Sequence, residues 1–402
     1  MQIWNSIPNL HKMIRRKIEE KIRNVIDKMP VICITGPRQS GKTTLVKNIF
    51  PSYQYYNLEF PEHRQFAQND AISFLKGIDK GIIIDEVQRV PEILSSIQYF
   101  VDEKKMLGKI IITGSQNLLL MQSVSQTLAG RVALFTLLPF SVEELEDTPY
   151  KQDEFEDYLV KGFYPRIYDQ NLDYNSWIRD YITTYIERDV RQIIAVKDLS
   201  LFRNFLQLCA GHTGQIVNYS TFSNNLGVDV KTIKSWLSLL ETSYIVYLHQ
   251  PYSRNINKRL IKSPRLYFYD TGIACNLLGI RNTDDFLSHY LKGGLFESFI
   301  IAEINKFFFN HRQNGQVTYF RDSNGNEVDV VLEFGSMQKV IEIKSGKTIN
   351  QNFFKGLAYW DKLSTEMPSQ KFLVYGGDQV QERSTATVLG WKHLDKIFTD
   401  SF

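Results

Sequence analysis

The chain has 402 residues, which exceeds one typical domain and predicts two or three. Its composition, 43% hydrophobic and 23% charged, is typical of an ordinary soluble globular protein. The net charge of +3 and the isoelectric point near 8.5 permit nucleic-acid binding but do not require it.

The N-terminus and the cysteines bear on the cellular location. Cys33, Cys209 and Cys275 lie far apart and lack metal-ligand spacing, which indicates free thiols in a reduced compartment. The chain shows neither the apolar core of a signal peptide nor a run long enough to span a membrane. We therefore expect a cytoplasmic protein without membrane contact, and an amphipathic helix at Met13–Met29 that leads into the first strand.

A glycine-rich loop follows the first predicted strand, Val31–Thr35. The segment "GPRQSGKTT" fits the pattern G-x-x-x-x-G-K-[ST], whose backbone N–H groups and following helix N-terminus receive phosphate oxygens. We expect Lys42 to hold the β- and γ-phosphates of ATP and Thr43 to reach Mg²⁺. The predicted nucleotide-binding residues are Gly36, Pro37, Arg38, Gln39, Ser40, Gly41, Lys42, Thr43 and Thr44.

A later predicted strand ends in two adjacent carboxylates. In "GIIIDEVQ", the apolar run Ile82–Ile84 is followed by Asp85 and Glu86. We expect Asp85 to hold the Mg²⁺ shell and Glu86 to orient or deprotonate the attacking water. A solvated turn is the alternative, and the phosphate loop upstream makes it the weaker one.

Two more polar positions are candidates for catalytic roles. Ser115 follows the predicted strand Lys109–Thr113, at the edge where α/β sheets bind ligands. Arg131 precedes another strand and could reach the γ-phosphate of a neighbouring subunit as an arginine finger, which requires a homo-oligomer. The alternative is that Arg131 is a solvated cation at the start of a strand.

Strands and helices alternate from Val31 to about Leu138. The predicted strands are Val31–Thr35, Tyr53–Asn57, Ile82–Asp85, Lys109–Thr113 and Val132–Leu137. This alternation predicts an α/β fold with a parallel sheet and helices on both faces. The strand between the phosphate loop and the Ile82 strand is the arrangement of the additional-strand ATPases. From Ser141 to Gly211 the pattern is helical and predicts a lid with connecting helices.

The sequence in the middle of the chain predicts a helix, a turn, a second helix and a basic hairpin. Ser220 is expected to cap the first helix and Asp229 the second, with Gly227 between them. This order predicts a winged helix-turn-helix, used either for DNA contact or only as a packing or oligomer module. The predicted DNA-binding residues are Lys231, Lys234, Arg254 and Lys258.

The last part of the chain contains a carboxylate and lysine pattern. A hairpin predicted at Asn324-Gly325 places Asp329 in an apolar strand, and the next strand carries Glu342 and Lys344 on one face. This resembles the restriction-endonuclease-like core, in which two carboxylates bind Mg²⁺ and a lysine activates water. A solvated edge strand is the alternative, and cleavage itself stays open. The nuclease-like candidates are Glu297, Asp329, Glu342 and Lys344.

Taken together, the motifs resemble a family of bacterial and archaeal AAA-type ATPases that carry a C-terminal domain of unknown function. The resemblance rests on "GPRQSGKTTL", "IIIDEVQ", "IITGS", "LAGR", "YIERDV" and "YDTGIA", and it extends over essentially the whole chain. It implies an AAA fold and ATPase roles for Lys42, Asp85, Glu86, Ser115 and Arg131.

The predicted domains are an AAA-type ATPase core at 1–140, a helical lid at 141–211, a winged helix at 212–272 and an endonuclease-like domain at 273–402. The predicted function is Mg-dependent ATP hydrolysis that acts on DNA. The alternative is an NTPase switch or scaffold whose C-terminal parts serve protein assembly without cleavage. The expected cofactors are ATP and Mg²⁺, and the expected partners are DNA and further copies of this chain.

Overall fold

The computed structural model describes residues 14–115, 124, 126–186, 198–252, 262–313, 315–335, 337–363 and 368–399. The helices are α1 Ile18–Ile26, α2 Lys42–Ile49, α3 Pro61–Asn69, α4 Ala71–Phe74, α5 Ile93–Lys104, α6 Val142–Leu145, α7 Phe155–Lys161, α8 Pro165–Asp169, α9 Tyr174–Tyr181, α10 Leu199–Gly211, α11 Tyr219–Leu226, α12 Val230–Thr242, α13 Thr271–Leu277, α14 Thr283–Ser288, α15 Lys292–His311 and α16 Lys355–Leu363. The strands are β1 Val31–Thr35, β2 Gln54–Asn57, β3 Ile82–Asp85, β4 Ile110–Thr113, β5 Val132–Thr136, β6 Val246–Pro251, β7 Arg265–Phe268, β8 Val317–Arg321, β9 Glu327–Phe334, β10 Met337–Lys344, β11 Ser369–Tyr375, β12 Gln381–Glu382 and β13 Thr387–Gly390.

The first five strands form a parallel sheet in the order β2-β3-β4-β1-β5. Strands β1, β3 and β4 are buried throughout, because apolar side chains on both faces pack under helices in two separate cores. The predicted parallel α/β sheet is therefore confirmed. Since parallel strands end at one edge, the phosphate loop, Asp85 and Ser115 emerge side by side.

The second sheet is mixed and has the order β12-β13-β11-β10-β9-β8-β6-β7. Strands β8 and β9 form the predicted hairpin, and Gly325 takes the left-handed conformation, φ 84°, that the tight turn requires. Strand β6 pairs with β7 on one side and, in parallel, with β8 on the other. The middle of the chain thus contributes strands to the C-terminal sheet.

Most of the buried apolar side chains after the first sheet form one continuous core, beside two smaller clusters around the C-terminal sheet. It runs from Phe140 through the helices α7 to α12 to Phe398 near the end of the chain. This core crosses the predicted boundaries near 211 and 272, so the segments on either side pack as one body. The domain limits themselves stay a prediction.

The two helices before β6 carry side-chain caps. Helix α12 begins as predicted at Asp229, whose carboxylate accepts from Thr232 N at 2.9 Å. For α11 the prediction was wrong: the cap is Asn218, which accepts from the amides of Ser220 and Thr221. The Asn218 side chain sits before the first helical residue, where an acceptor reaches the unpaired amides, whereas Ser220 is already inside the helix.

The three cysteines are free and fully buried, and burial raises the pKa of the Cys33 thiol to about 12. Such thiols are protonated and inert at neutral pH. Within the described ranges, no helix combines the length and apolar character needed to cross a bilayer.

Candidate nucleotide site and carboxylate cluster

The loop between β1 and α2 is shaped by residues with positive φ. Gly36, Gln39 and Gly41 have φ of 145°, 65° and 93°. A Cβ on Gly36 would lie 2.1 Å from the carbonyl oxygen of Leu137, so only glycine fits there. The loop therefore turns tightly into the helix, which is the backbone geometry that receives an anion in phosphate loops.

Lys42 is the first residue of α2 and is only 6% exposed. Its ammonium donates to the carbonyl oxygens of Gly36, at 3.0 Å, and Pro37, at 2.8 Å. These contacts hold a positive charge inside the loop, at the place the sequence predicts for the β- and γ-phosphates.

Asp85, at the end of β3, is buried and collects three hydroxyl donors. Its Oδ2 accepts from Thr43 at 2.8 Å and from Tyr55 at 2.7 Å, and its Oδ1 accepts from Thr113. The structure thus brings Thr43 and Asp85 together, as a shared Mg²⁺ shell requires. Sequence reasoning missed Tyr55; burial, followed by its hydrogen bond to Asp85, raises its pKa.

Glu86 follows in the left-handed conformation, with φ of 59°, which is uncommon for a residue with a side chain. The Gln88 amide donates to the carboxylate of Glu86 and, at 3.0 Å, to the hydroxyl of Ser115. Glu86 and Ser115 are therefore joined through Gln88. Sequence reasoning missed Gln88, although it lies two residues from Glu86 in the quoted motif.

A cavity of about 600 Å³ lies over the loop and is lined by Lys42, Thr43 and Glu86. This volume lies within the usual range for small-molecule sites. The other walls come from the start of the described chain and from the helical segment, through Arg16 and Arg166 among others. The helical segment thus lines one side of the cavity, and its role as a lid stays a prediction.

Arg16 is buried behind the loop. Its guanidinium donates to the carbonyl oxygens of Ser40, at 2.9 Å, and Leu138, at 2.6 Å, and to Glu144 at 3.0 Å. It therefore ties the phosphate loop to the segment that runs from β5 into α6. Nothing in the sequence separates Arg16 from the other cations of the same amphipathic stretch.

Arg131 lies outside the cavity. It precedes β5, and since β5 runs parallel to β1, it lies at the sheet edge opposite the phosphate loop. Its guanidinium donates to both carboxylate oxygens of Asp102, at 2.6 and 2.9 Å. Its predicted role in a neighbouring subunit stays a prediction.

The nuclease-like candidates converge near the start of β9 and the end of β10, which pair antiparallel. The Lys344 ammonium lies 2.6 Å from Glu342 Oε1 and 3.4 Å from Asp329 Oδ2, and Ile343 N donates to Asp329 Oδ2 at 2.8 Å. Both carboxylates therefore lie on one face of the sheet. Glu297, on α15, accepts from the hydroxyl of Tyr267 at 3.0 Å.

Arg265, which sequence reasoning missed, completes this group. It is 4% exposed and donates to Asp329 Oδ1 at 3.4 Å and to the carboxylate of Glu327. It lies more than 60 positions before both carboxylates, so no local pattern marks it.

Burial and then the neighbouring charges set the protonation of the group. Burial, followed by repulsion from Asp329, raises the pKa of Glu297 and of Glu342 to about 8. Burial also opposes ionisation of Asp329, but Lys344 and Arg265 outweigh it and lower the pKa of Asp329. Among Glu297, Asp329 and Glu342, the negative charge therefore resides mainly on Asp329 at neutral pH.

The arrangement does not fit a metal ion as it stands. In the described ranges, no three His, Cys, Asp or Glu side chains gather closely enough to hold one. The Lys344 and Arg265 cations take both oxygens of Asp329 and one oxygen of Glu342, which a Mg²⁺ ion would need.

The predicted DNA-binding residues divide into two pairs. Lys231 and Lys234 are exposed on α12, and the Lys234 ammonium lies 5.3 Å from the centre of the Tyr219 ring. Arg254 and Lys258 lie outside the described residues.

Three stretches of the chain match family models. Residues 28–146 match an "AAA domain", residues 152–284 a "Domain of unknown function (DUF8612)" and residues 292–394 a "Domain of unknown function (DUF4143)". The chain therefore carries an AAA-type P-loop ATPase domain followed by two domains whose functions are not established.

The chain is similar to uncharacterised proteins of two bacteria. One from Mycobacterium tuberculosis is 28% identical over 342 residues, which cover 83% of this chain and 74% of that protein. One from Haemophilus influenzae is 24% identical over 278 residues, which cover 61% of this chain and 68% of that protein.

Two solved structures are remote likenesses. A Walker-type ATPase of Pyrococcus abyssi is 15% identical, with a TM-score of 0.45, and covers 67% of this chain and 98% of its own. The RuvB Holliday junction branch migration motor of Thermotoga maritima is 17% identical, with a TM-score of 0.30, and covers 57% of this chain and 88% of its own. Neither likeness bears on what this chain acts on.

Proposed function

We propose that this protein binds ATP and hydrolyses it at the site formed by the phosphate loop and the carboxyl ends of β3 and β4. The observation that carries the proposal is the contact between Thr43 and Asp85 beside the buried ammonium of Lys42. A hydroxyl, a carboxylate and a lysine meet there at the mouth of a glycine-shaped anion loop, which is the chemistry that a magnesium nucleotide requires.

Each residue of the site has a role in this proposal. Lys42 holds the β- and γ-phosphates, while Thr43 and Asp85 hold Mg²⁺, which when bound neutralises phosphate charge. Glu86 orients the attacking water or takes its proton, and the Gln88 bridge to Ser115 fixes its carboxylate. Arg16 positions the loop through the Ser40 carbonyl.

The test is a pair of substitutions in the full chain. Lys42→Ala should abolish nucleotide binding, whereas Glu86→Gln should keep binding and slow hydrolysis by about a hundredfold or more, because an amide takes no proton from water. Glu103→Gln, on the exposed face of α5, is the matched control and should hydrolyse ATP like the wild type. Wild-type turnover in Glu86→Gln refutes the catalytic assignment.

Arg131 is proposed to act on the site of a neighbouring copy, because it lies at the edge of the sheet opposite its own loop. If so, turnover rises with protein concentration, and mixing Arg131→Ala subunits with Lys42→Ala subunits restores part of the activity. A dilute monomer with full turnover rules out this role.

We also propose that the ATPase acts on DNA, through a winged helix built on α11 and α12 and through the nuclease-like group. The exposed Lys231 and Lys234 and the convergence of Asp329, Glu342 and Lys344 support this assignment. No cleavage step follows from it, because the group as arranged does not fit a metal ion. The competing proposal is a cytoplasmic NTPase switch or scaffold whose C-terminal part docks a protein.

Charge reversal separates the two proposals. Lys231→Glu with Lys234→Glu should weaken duplex binding and flatten its dependence on salt, because the variant neutralises fewer DNA phosphates and so releases fewer counterions on binding. The control is Lys76→Glu with Lys80→Glu, an equal charge change at exposed sites on the ATPase domain. Equal DNA affinity in both double variants favours the scaffold.

A further inference from the structure

We propose that Arg265 is a built-in counter-ion that keeps the carboxylate cluster closed to divalent cations. The carboxylate cluster is Glu297, Glu327, Asp329 and Glu342, together with the Lys344 ammonium. The inference rests on the nuclease-like assignment of this cluster and is independent of ATP hydrolysis.

Asp329 is the ionised carboxylate at the centre of the cluster, and both of its oxygens accept hydrogen bonds. Arg265 donates to Oδ1 at 3.4 Å, while Lys344, at 3.4 Å, and the amide of Ile343, at 2.8 Å, donate to Oδ2. A divalent cation needs carboxylate oxygens that face it, and a guanidinium in the same place repels it. Metal and Arg265 therefore exclude each other at Asp329.

The backbone places Arg265 there rigidly. The residue begins β7, pairs across the strands with His249 and bridges Ile216 on its other side. Its guanidinium lies 4.9 Å from the centre of the Tyr319 ring, a cation–π contact. Because strands on both sides hold the backbone of Arg265, placing its guanidinium at Asp329 costs less conformational entropy than ordering a cation on a mobile loop would.

The cluster nevertheless keeps an oxygen that a cation could use. Glu342 is 5% exposed, and its Oε2 is buried without a hydrogen-bond partner within the described part of the chain. The start of α16 lies nearby, since a Cβ added to Gly356 would come within 2.5 Å of this oxygen. A cation that binds there displaces the carboxyl proton and gives an unpaired buried oxygen a partner, once the charge of Arg265 is removed.

A substitution at Glu327 is a second way to weaken the position of the Arg265 guanidinium. Glu327 holds the other end of the guanidinium, and its side chain is 37% exposed. Glu327→Gln weakens the hold on Arg265 and leaves the side chains of Asp329 and Glu342 in place, although it also loosens Arg321, which donates to the same carboxylate at 3.1 Å. It also leaves the interior intact, whereas Arg265→Gln changes a buried side chain.

The test is a titration of the nucleotide-free full chain with Mn²⁺, followed by electron paramagnetic resonance of free Mn²⁺ and by calorimetry. Arg265→Gln should bind Mn²⁺ at least about tenfold more tightly than the wild type, and Glu327→Gln should shift in the same direction by less. Arg265→Lys, which keeps the charge, should stay near the wild type. Adding Asp329→Asn should abolish each gain, and any Mn²⁺ that remains is assigned to other sites.

Two results overturn the proposal. One is a wild-type protein that already binds Mn²⁺ at an Asp329-dependent site as tightly as Arg265→Gln. The other is no gain in Arg265→Gln with native circular dichroism, or, if that variant does not fold, no gain in Glu327→Gln. Because the readout is metal binding, it is separate from failure to cleave DNA and from failure to hydrolyse ATP.

Discussion

His249 is fully buried among the rings of Tyr247, Tyr267 and Tyr319, with ring centres 5.7, 5.8 and 5.6 Å away. Burial, with a contribution from the Arg265 charge, lowers its pKa from 6.5 to about 3. Below pH 6.5 the unfolded chain therefore binds a proton on the His249 imidazole, whereas the folded protein leaves that ring neutral until the pH approaches 3. This difference lowers stability as the pH falls from 6.5 towards 3, by up to about 1.4 kcal/mol per pH unit.

Replacing His249 with phenylalanine should remove this loss, because a phenyl ring of similar shape does not titrate. We expect His249→Phe to lose less stability than the wild type between pH 6.5 and 4, in urea unfolding followed by circular dichroism. The wild type measured over the same range is the reference. Parallel stability curves for the two proteins would show that His249 is not buried as a neutral ring.

Arg16 illustrates a buried ion pair that also supports a site. Its partner Glu144 is fully buried, so Arg16→Ala leaves an uncompensated carboxylate and a Ser40 carbonyl without its donor. We expect a loss of about 3 kcal/mol in the free energy of unfolding. Weaker ATP binding should accompany it, because Ser40 belongs to the phosphate loop.

The control is an ion pair whose two side chains are both exposed. Lys104, the last residue of α5, pairs with Asp79 at 3.3 Å; the two side chains are 37% and 67% exposed, and neither lines the cavity. Lys104→Ala should therefore cost about 0.5 kcal/mol or less, with unchanged ATP affinity. Equal losses in the two variants, measured by urea unfolding and nucleotide titration, would contradict the positioning role of Arg16.

At the scale of elements, the start of α11 provides a direct comparison. Asn218 accepts from two amides of the first turn, whereas Ser220 contributes its own amide and keeps an exposed side chain. Asn218→Ala should cost about 1 kcal/mol, and Ser220→Ala much less. Chemical denaturation of the two variants in parallel measures the difference. A larger loss of stability in Ser220→Ala than in Asn218→Ala would show that Ser220 is the cap.

Helix α15 joins the two halves of the molecule. Its Glu303 accepts from the amide of Val142 at 2.8 Å and pairs with Lys306 at 2.7 Å, and all of these groups are buried. Six residues earlier the same helix carries Glu297 of the carboxylate cluster. The helix therefore contacts the segment after the ATPase sheet at one point and the cluster at another.

At the scale of the whole molecule, the helical segment after the ATPase sheet packs against the C-terminal part of the chain. Phe163 stacks on Phe299 at 6.0 Å, and Tyr158 meets Trp391 at 6.0 Å. Strand β6 also covers the edge of β8. A cut at residue 272 removes these partners and exposes both apolar surface and an unpaired strand edge.

We therefore expect the fragment 273–402 to aggregate or to unfold without cooperativity, and the fragment 141–402 to unfold cooperatively. Thermal unfolding by circular dichroism, together with size-exclusion chromatography, measures the difference. A soluble fragment 273–402 with a sharp transition would show that the endonuclease-like domain folds independently at the predicted boundary.

Sequence patterns predicted the features that short stretches of chain encode. The parallel sheet, the phosphate loop and the hairpin at Asn324-Gly325 follow from local periodicity and turn chemistry. The meeting of Asp329 with Glu342 and Lys344 follows as well, because adjacent antiparallel strands with alternating side chains leave few registers.

Only the tertiary structure decided which distant residues complete the sites. Arg265 reaches Asp329, Arg16 reaches Ser40 and Glu144, and Tyr55 reaches Asp85 across 24 to 128 positions of the chain. A cation or hydroxyl at such a separation has no spacing to mark it, since its partner depends on how whole elements pack. The pairing of β6 with β8 could not be predicted from the sequence for the same reason. Periodicity predicts that a segment is a strand, but packing in the shared core determines which strand it pairs with.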